Sequence, residues 1–206
     1  VADRTPVDFW FDPFCPWAWL TSRWLIEVAA VRDIEPRWHV MSLYFLNKDR
    51  DIPGWYRELV NQSIGPVRVV AAAEAAHGPQ VLGRLYTEMG ERFHVQGRRK
   101  DGGPIEPIVA EALEAAGLDA GLVAAMGDEG YDEAVRRSHD DAMSRVGEDV
   151  GTPVISVNGA SFFGPVVTPA PKGEAAGRLW DGVVLVAGTD GFFELKRTRD
   201  RDPIFD

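Results

Sequence analysis

The sequence predicts an α/β protein ordered β-α-β, helical block, β-hairpin, α. Three observations carry that prediction. "VDFWFDP" (7–13) alternates like a strand buried on at least one face, and from Pro16 the apolar period changes to three and four residues. About a hundred residues after "LNKDRDIPGW" keep a helical period. β signals then return only at "TPVISVNG" (152–159).

Val7, Phe9 and Phe11 lie on one face of the first strand, and Pro13 closes it. Trp17, Leu20, Trp24, Val28 and Val31 then mark the apolar face of a helix starting at Pro16. "RDIEP" ends that helix, and "RWHVMSLYF" (37–45) reads as a second strand. Strand-helix-strand in so short a span is a βαβ unit, which sets two parallel strands side by side. Four helical segments follow at 66–78, 79–94, 104–118 and 131–147, separated by Gly/Pro breaks, with "QGRRKDGGP" (96–104) the most flexible-looking stretch. Asn158-Gly159 between "TPVISVNG" and "ASFFGP" (160–165) is a hairpin turn signal. Residues 172–188 read as a helix and 191–199 as another helix or a tail. The predicted division is 1–45 with 150–206 as one domain, and 46–149 as an inserted helical subdomain.

Composition narrows the function classes. With 22 Lys+Arg against 32 Asp+Glu the formal charge is −10, and no basic run offsets it, so nucleic acid is not an expected partner. Apolar runs such as "VVLVA" (183–187) are too short to span a bilayer, so neither is a membrane. The opening "VADRTPVDFWF" lacks the basic and apolar regions of a signal peptide. A single cysteine permits no internal disulfide, and together these predict a cytoplasmic protein. Monomer and homodimer both stay open.

That cysteine, Cys15, sits between the first strand and the first helix in "FCPWAWL". Cys15-Pro16-Trp17-Ala18 has the layout of a redox Cys-Pro-x-Cys site with alanine at the second cysteine's place. A thiolate there meets the unpaired N–H groups of a helix start, which lowers a cysteine pKa. Pro16 suits the first helical turn, and the end of a strand places the thiol at the sheet edge where α/β proteins keep their sites. Trp17 and Trp19 add apolar surface beside it. A lone cysteine is more often a small buried hydrophobe, but such a residue has no need of this position. Thr152-Pro153, opening the later strand, is a second and distant element of the same pattern.

The chain resembles thioredoxin-fold proteins of the DsbA-like family, in which a helical domain is inserted between a βαβ half and a ββα half. "FWFDPFCPWAWLTSRWLIEVA", "VMSLYFLN", "AMSRVGEDVGTPVISVNGASFFGP" and "FFELKRTR" are similar to the actinobacterial mycothiol-dependent nitroreductases. The resemblance implies that 1–45 and 150–206 form the thioredoxin-like domain and that Pro153 is cis and faces Cys15. It also places Asn47 and Tyr56 along the active-site cleft, their competing assignments being a turn residue and a surface or core aromatic. Thr152 is a further candidate for binding substrate or thiol, and Trp17, at the variable position of the motif, lies next to the sulfur. The sequence departs from the family's Cys-Pro-Trp-Cys at Ala18. Without a second thiol, a disulfide on Cys15 must be resolved from outside, and by resemblance mycothiol is the thiol that does so.

Three activities stay open. One is a monothiol reductase of electrophilic, aromatic or disulfide substrates. Another is an isomerase or S-transferase that activates a bound thiol, as the related glutathione-dependent isomerases and kappa-type transferases do. The third is a binding module with a decayed redox site.

His39, His77, His94 and His139 show no metal-ligand spacing, so no metal is expected. His94 is a candidate cleft residue, its competing assignment being a solvated helix end. "GRRK" (97–100) either contacts an anionic ligand or is plain surface. No GxGxxG, P-loop or GxSxG signature appears, and no bound flavin is expected.

Overall fold

The structure, a computed structural model, describes residues 4–101 and 103–205. Its centre is a four-stranded sheet in the order β2-β1-β3-β4, formed by β1 (Thr5–Phe11), β2 (Ile34–Val40), β3 (Val154–Val157) and β4 (Ala160–Phe163). β1 pairs with β2 in parallel, with Phe9 opposite Trp38, and antiparallel with β3, with Phe9 opposite Ile155. A parallel pair requires a crossover, and α1 (Pro16–Val31) supplies it. The β3–β4 hairpin turns at Asn158 and Gly159, both at positive φ (51° and 82°), as an Asn-Gly turn demands. This is the thioredoxin-type sheet that the sequence predicts.

The second strand differs from the sequence reading, starting three residues earlier and ending at Val40. Pro36 is tolerated because β2 is an edge strand. The chain then leaves the sheet because Ser42 Oγ accepts the N–H of Phe45 at 3.2 Å, capping the short helix α2 (Leu43–Asn47). The last three residues of the predicted strand, 43–45, are therefore helix.

The helical block holds α3 (Gly54–His77), α4 (Leu82–Gly90), α5 (Glu106–Ala116) and α6 (Asp132–Val146). α3 begins well before Pro66, which lies inside it. A single π turn, Glu91–Val95, extends α4. Tyr86 of α4 stacks on Phe11 of β1 at 3.8 Å, so the block and the sheet share one apolar core. Gly90 is required there: a Cβ on it would come within 2.1 Å of the Trp19 ring.

α7 (Gly173–Ala187) packs on α1, where the Trp24 indole N–H donates to the Ala176 carbonyl at 3.1 Å. Residues 191–199 take the tail alternative and form no helix. Among the described residues no helix is long and apolar enough to cross a membrane.

Candidate active site

Cys15 is the N-cap of α1, with extended backbone (φ −80°, ψ 111°), and Pro16 occupies the first helical position, where a missing N–H leaves no bond unmade. Its thiol accepts the N–H of Ala18 at 3.4 Å and donates to the carbonyl oxygen of Thr152 at 3.4 Å. The Thr152–Pro153 bond is cis, and the Thr152 hydroxyl donates to the Trp10 carbonyl at 3.3 Å, tying the start of β3 to β1. Cys15, Pro16, Ala18, Thr152 and Pro153 therefore meet at one sheet edge.

The electrostatics differ from the sequence expectation. Cys15 is only 7% exposed, and its pKa is pushed up to about 12, chiefly by burial. The Ala18 and Trp17 N–H groups and the positive charge of Arg99 act to lower it, while the neighbouring Asp12 raises it. The helix start is present, but desolvation is the larger effect. In this closed arrangement the thiol is protonated at neutral pH.

Asp12 is the residue the sequence reading missed. It lies three positions before Cys15, fully buried, where its Oδ1 accepts the N–H of Phe14 (2.8 Å) and its Oδ2 that of Leu43 (2.7 Å). Burial raises its pKa to about 7, against the lowering effect of those two bonds and of Arg99. "DPF" is an Asx-turn signal that points inward, and strand alternation hid it by assigning Asp12 to the polar face. Arg99 is not plain surface either. Its guanidinium lies 4.5 Å from the Phe14 ring centroid.

His94 is buried in the π turn, not solvated at a helix end. Its Nε2 lies 2.9 Å from the Pro13 carbonyl, which can only accept, so that nitrogen carries the proton. Trp17 is half-buried, with the Arg199 guanidinium 5.2 Å over its ring. Tyr56 is half-buried, and its pKa is raised, chiefly by burial. Asn47 is buried at the end of α2, not of a strand, and its amide donates to the Leu43 carbonyl of its own helix at 2.8 Å. Among the described residues no group of three or more His, Cys, Asp or Glu is placed to hold a metal.

The fold recurs in known proteins. The probable DsbA oxidoreductase SCO1869 from Streptomyces coelicolor is similar at a TM-score of 0.58, with 18% identity over 95% of this chain and 94% of that one. The cytosolic disulfide reductase DsbM from Pseudomonas aeruginosa, solved with GSH, is similar at 0.54, with 18% identity over 86% and 98%. At these identities both establish the fold alone. Over 199 residues the chain is 33% identical to the uncharacterized protein Rv2286c of Mycobacterium tuberculosis, covering 95% of this chain and 83% of the relative. The sequence model of the family described as Mycothiol-dependent nitroreductase Rv2466c matches residues 14–197, from the residue before Cys15 through nearly all of the C-terminal half. That match over most of the chain, on a DsbA-like fold, places this chain in the Rv2466c-like family of thiol oxidoreductases.

Proposed function

We propose that the protein is a monothiol reductase, working in the cytoplasm, in which Cys15 exchanges electrons with mycothiol and an electrophilic, aromatic or disulfide substrate. The observation that carries this is the site's make-up. Cys15 is bonded between Ala18 N–H and the Thr152 carbonyl, and no second cysteine exists in the chain. The thioredoxin-like half (1–45 and 150–206) supplies the thiol and its Thr-Pro partner, and the helical insertion (46–149) supplies His94 and Tyr56 as cover.

For a disulfide substrate, the Cys15 thiolate attacks one sulfur, forming Cys15–S–S–R and releasing the other half as a thiolate. One mycothiol thiolate attacks the Cys15 sulfur and expels RS⁻. A second attacks the new mixed disulfide, releasing mycothiol disulfide and restoring Cys15. For an aromatic nitro group the balance is the same: two thiols yield one disulfide, two electrons and two protons, giving nitroso product and water. The tryptophan-rich start of α1 suits a flat aromatic substrate.

A second reading rests on the raised Cys15 pKa, since a thiol that stays protonated can orient a bound thiol without itself becoming a nucleophile. Thiol stoichiometry separates the two. A reductase consumes two thiols per product, an isomerase none and a transferase one. Two thiols per two-electron reduction, with turnover lost in Cys15→Ser, supports the reductase, and a ratio of none or one overturns it.

A further inference from the structure

Two cavities lie along one face of α1. The first, about 240 Å³, is lined by Pro16, His94 and Arg99 beside Cys15, and by Asp202, Pro203 and Phe205 of the C-terminal segment. The second, about 430 Å³, is lined by Leu20, Arg23 and Glu27 of α1, by Glu91 of the π turn, and again by Phe205. Pro16, Leu20, Arg23 and Glu27 stand at i, i+4, i+7 and i+11, a single helical stripe. From Pro16 to Arg23 the stripe runs about 10 Å along the axis. Phe205 lines both cavities.

Each cavity wall carries a buried guanidinium nitrogen with no hydrogen-bond partner among the described residues, Nη1 of Arg99 and Nη2 of Arg23. The direction of Arg23 is fixed by its other bonds. Its Nε donates to Ser22 Oγ at 3.2 Å, its Nη1 to Thr87 Oγ1 at 3.1 Å, and the group lies 3.9 Å over the Trp19 ring. An unpaired buried donor of this kind is unfavourable, and a ligand oxygen satisfies it. Glu27 and Glu91 lie on the same groove as acceptors. Donors and acceptors together suit hydroxyl groups, which do both, better than a second anion.

Phe205 is partly buried and packs against the apolar core. It stacks on His94 at 5.7 Å, and the Ile204 N–H donates to Thr168 Oγ1 at 2.8 Å. Residues 188–202 behind it are exposed and form neither helix nor strand.

We propose that Phe205 is a removable plug: when the C-terminal segment withdraws, the two cavities become one groove leading from Cys15 along α1, in which Arg99 and Arg23 donate to oxygen atoms of a polyhydroxylated thiol. The inference rests on the thiol-dependent reading above and extends it to the co-substrate's body.

The test measures calorimetric Kd for mycothiol in a Cys15→Ser background, with Phe205→Ala or Arg23→Met added. It is paired with the rate of mixed-disulfide formation on chains retaining Cys15, using mycothiol disulfide and 2-hydroxyethyl disulfide. Phe205→Ala tightens mycothiol binding about threefold, because the plug no longer competes. Arg23→Met weakens it about tenfold and lowers the ratio of the mycothiol disulfide rate to the 2-hydroxyethyl disulfide rate by a similar factor. A loss of packing alone would not move that ratio. Phe205 lies outside every helix and strand, so its replacement keeps the test valid even where Arg23→Met fails to fold. If Kd and the ratio stay unchanged in Phe205→Ala while mycothiol disulfide still modifies Cys15, the plug is wrong and the thiol-dependent reading stands. If neither disulfide modifies Cys15, both fall.

Discussion

The Cys15 thiol donates to the Thr152 carbonyl oxygen at 3.4 Å, joining residues 137 positions apart in the sequence. This bond holds the sulfur where the N–H groups at the start of α1 can reach it. Burial keeps that thiol protonated, so reactivity depends on what removes the proton.

The pH response of Cys15 follows from its pKa of about 12. Only thiolate reacts, and its fraction rises tenfold per pH unit well below the pKa. Iodoacetamide trapping should therefore accelerate about tenfold per unit from pH 7 to pH 9, without a plateau. A plateau near pH 7 would show a thiol that ionises like those of exposed helix-start cysteines.

Asp12 makes Cys15 harder to ionise, because two negative charges so close repel. Asp12→Asn removes that repulsion, and trapping at pH 8 should become several-fold faster. An unchanged or slower rate would mean that the carboxylate has no electrostatic hold on the thiol.

The same substitution has a stability signature. Asp12 titrates near 3.8 unfolded and near 7 folded, so the folded chain binds the extra proton between those values. Its contribution is fully present below pH 3.8 and is lost as pH rises through about 7, a change of about 4 kcal/mol. In urea unfolding, the stability of Asp12→Asn relative to the unmodified chain should improve by about that amount from pH 4 to pH 8. At pH 4 the variant starts lower, since an amide nitrogen must face one of the two N–H donors of Phe14 and Leu43. A difference that does not vary with pH would contradict the assignment.

Gly90→Ala should destabilise the fold by about 1–3 kcal/mol, because the new methyl displaces the Trp19 ring from α4. Trp19 carries the Arg23 guanidinium on its face, so the shift reaches the groove along α1. Chemical unfolding and the near-UV tryptophan signal check this, and a variant as stable as the unmodified chain would show that the contact is slack.

Much of this architecture was legible in the sequence because period and punctuation agreed. β1, the start of α1 at Pro16, and the hairpin at Asn158-Gly159 all follow from local rules, and Cys15 with Pro16 and Thr152-Pro153 marked the site. What escaped reading depends on distant partners. Ser42 ends β2 by capping α2, yet "VMSLYF" keeps a strand's composition. Asp12 looks like the polar side of a strand until Leu43 folds over it. The direction of the Cys15 pKa was misjudged because local sequence displays the helix start but not the burial that outweighs it. Phe205 at the chain's end carried no periodic signal, and only its packing on His94 brings it to the site.

Intact-mass measurement after incubation with mycothiol disulfide tests the central claim most directly. The account predicts one mycothiol adduct per chain, located on Cys15, stable until a thiol is added and absent in Cys15→Ser. A chain that gains no adduct, or releases it without added thiol, would contradict a single cysteine resolved from outside.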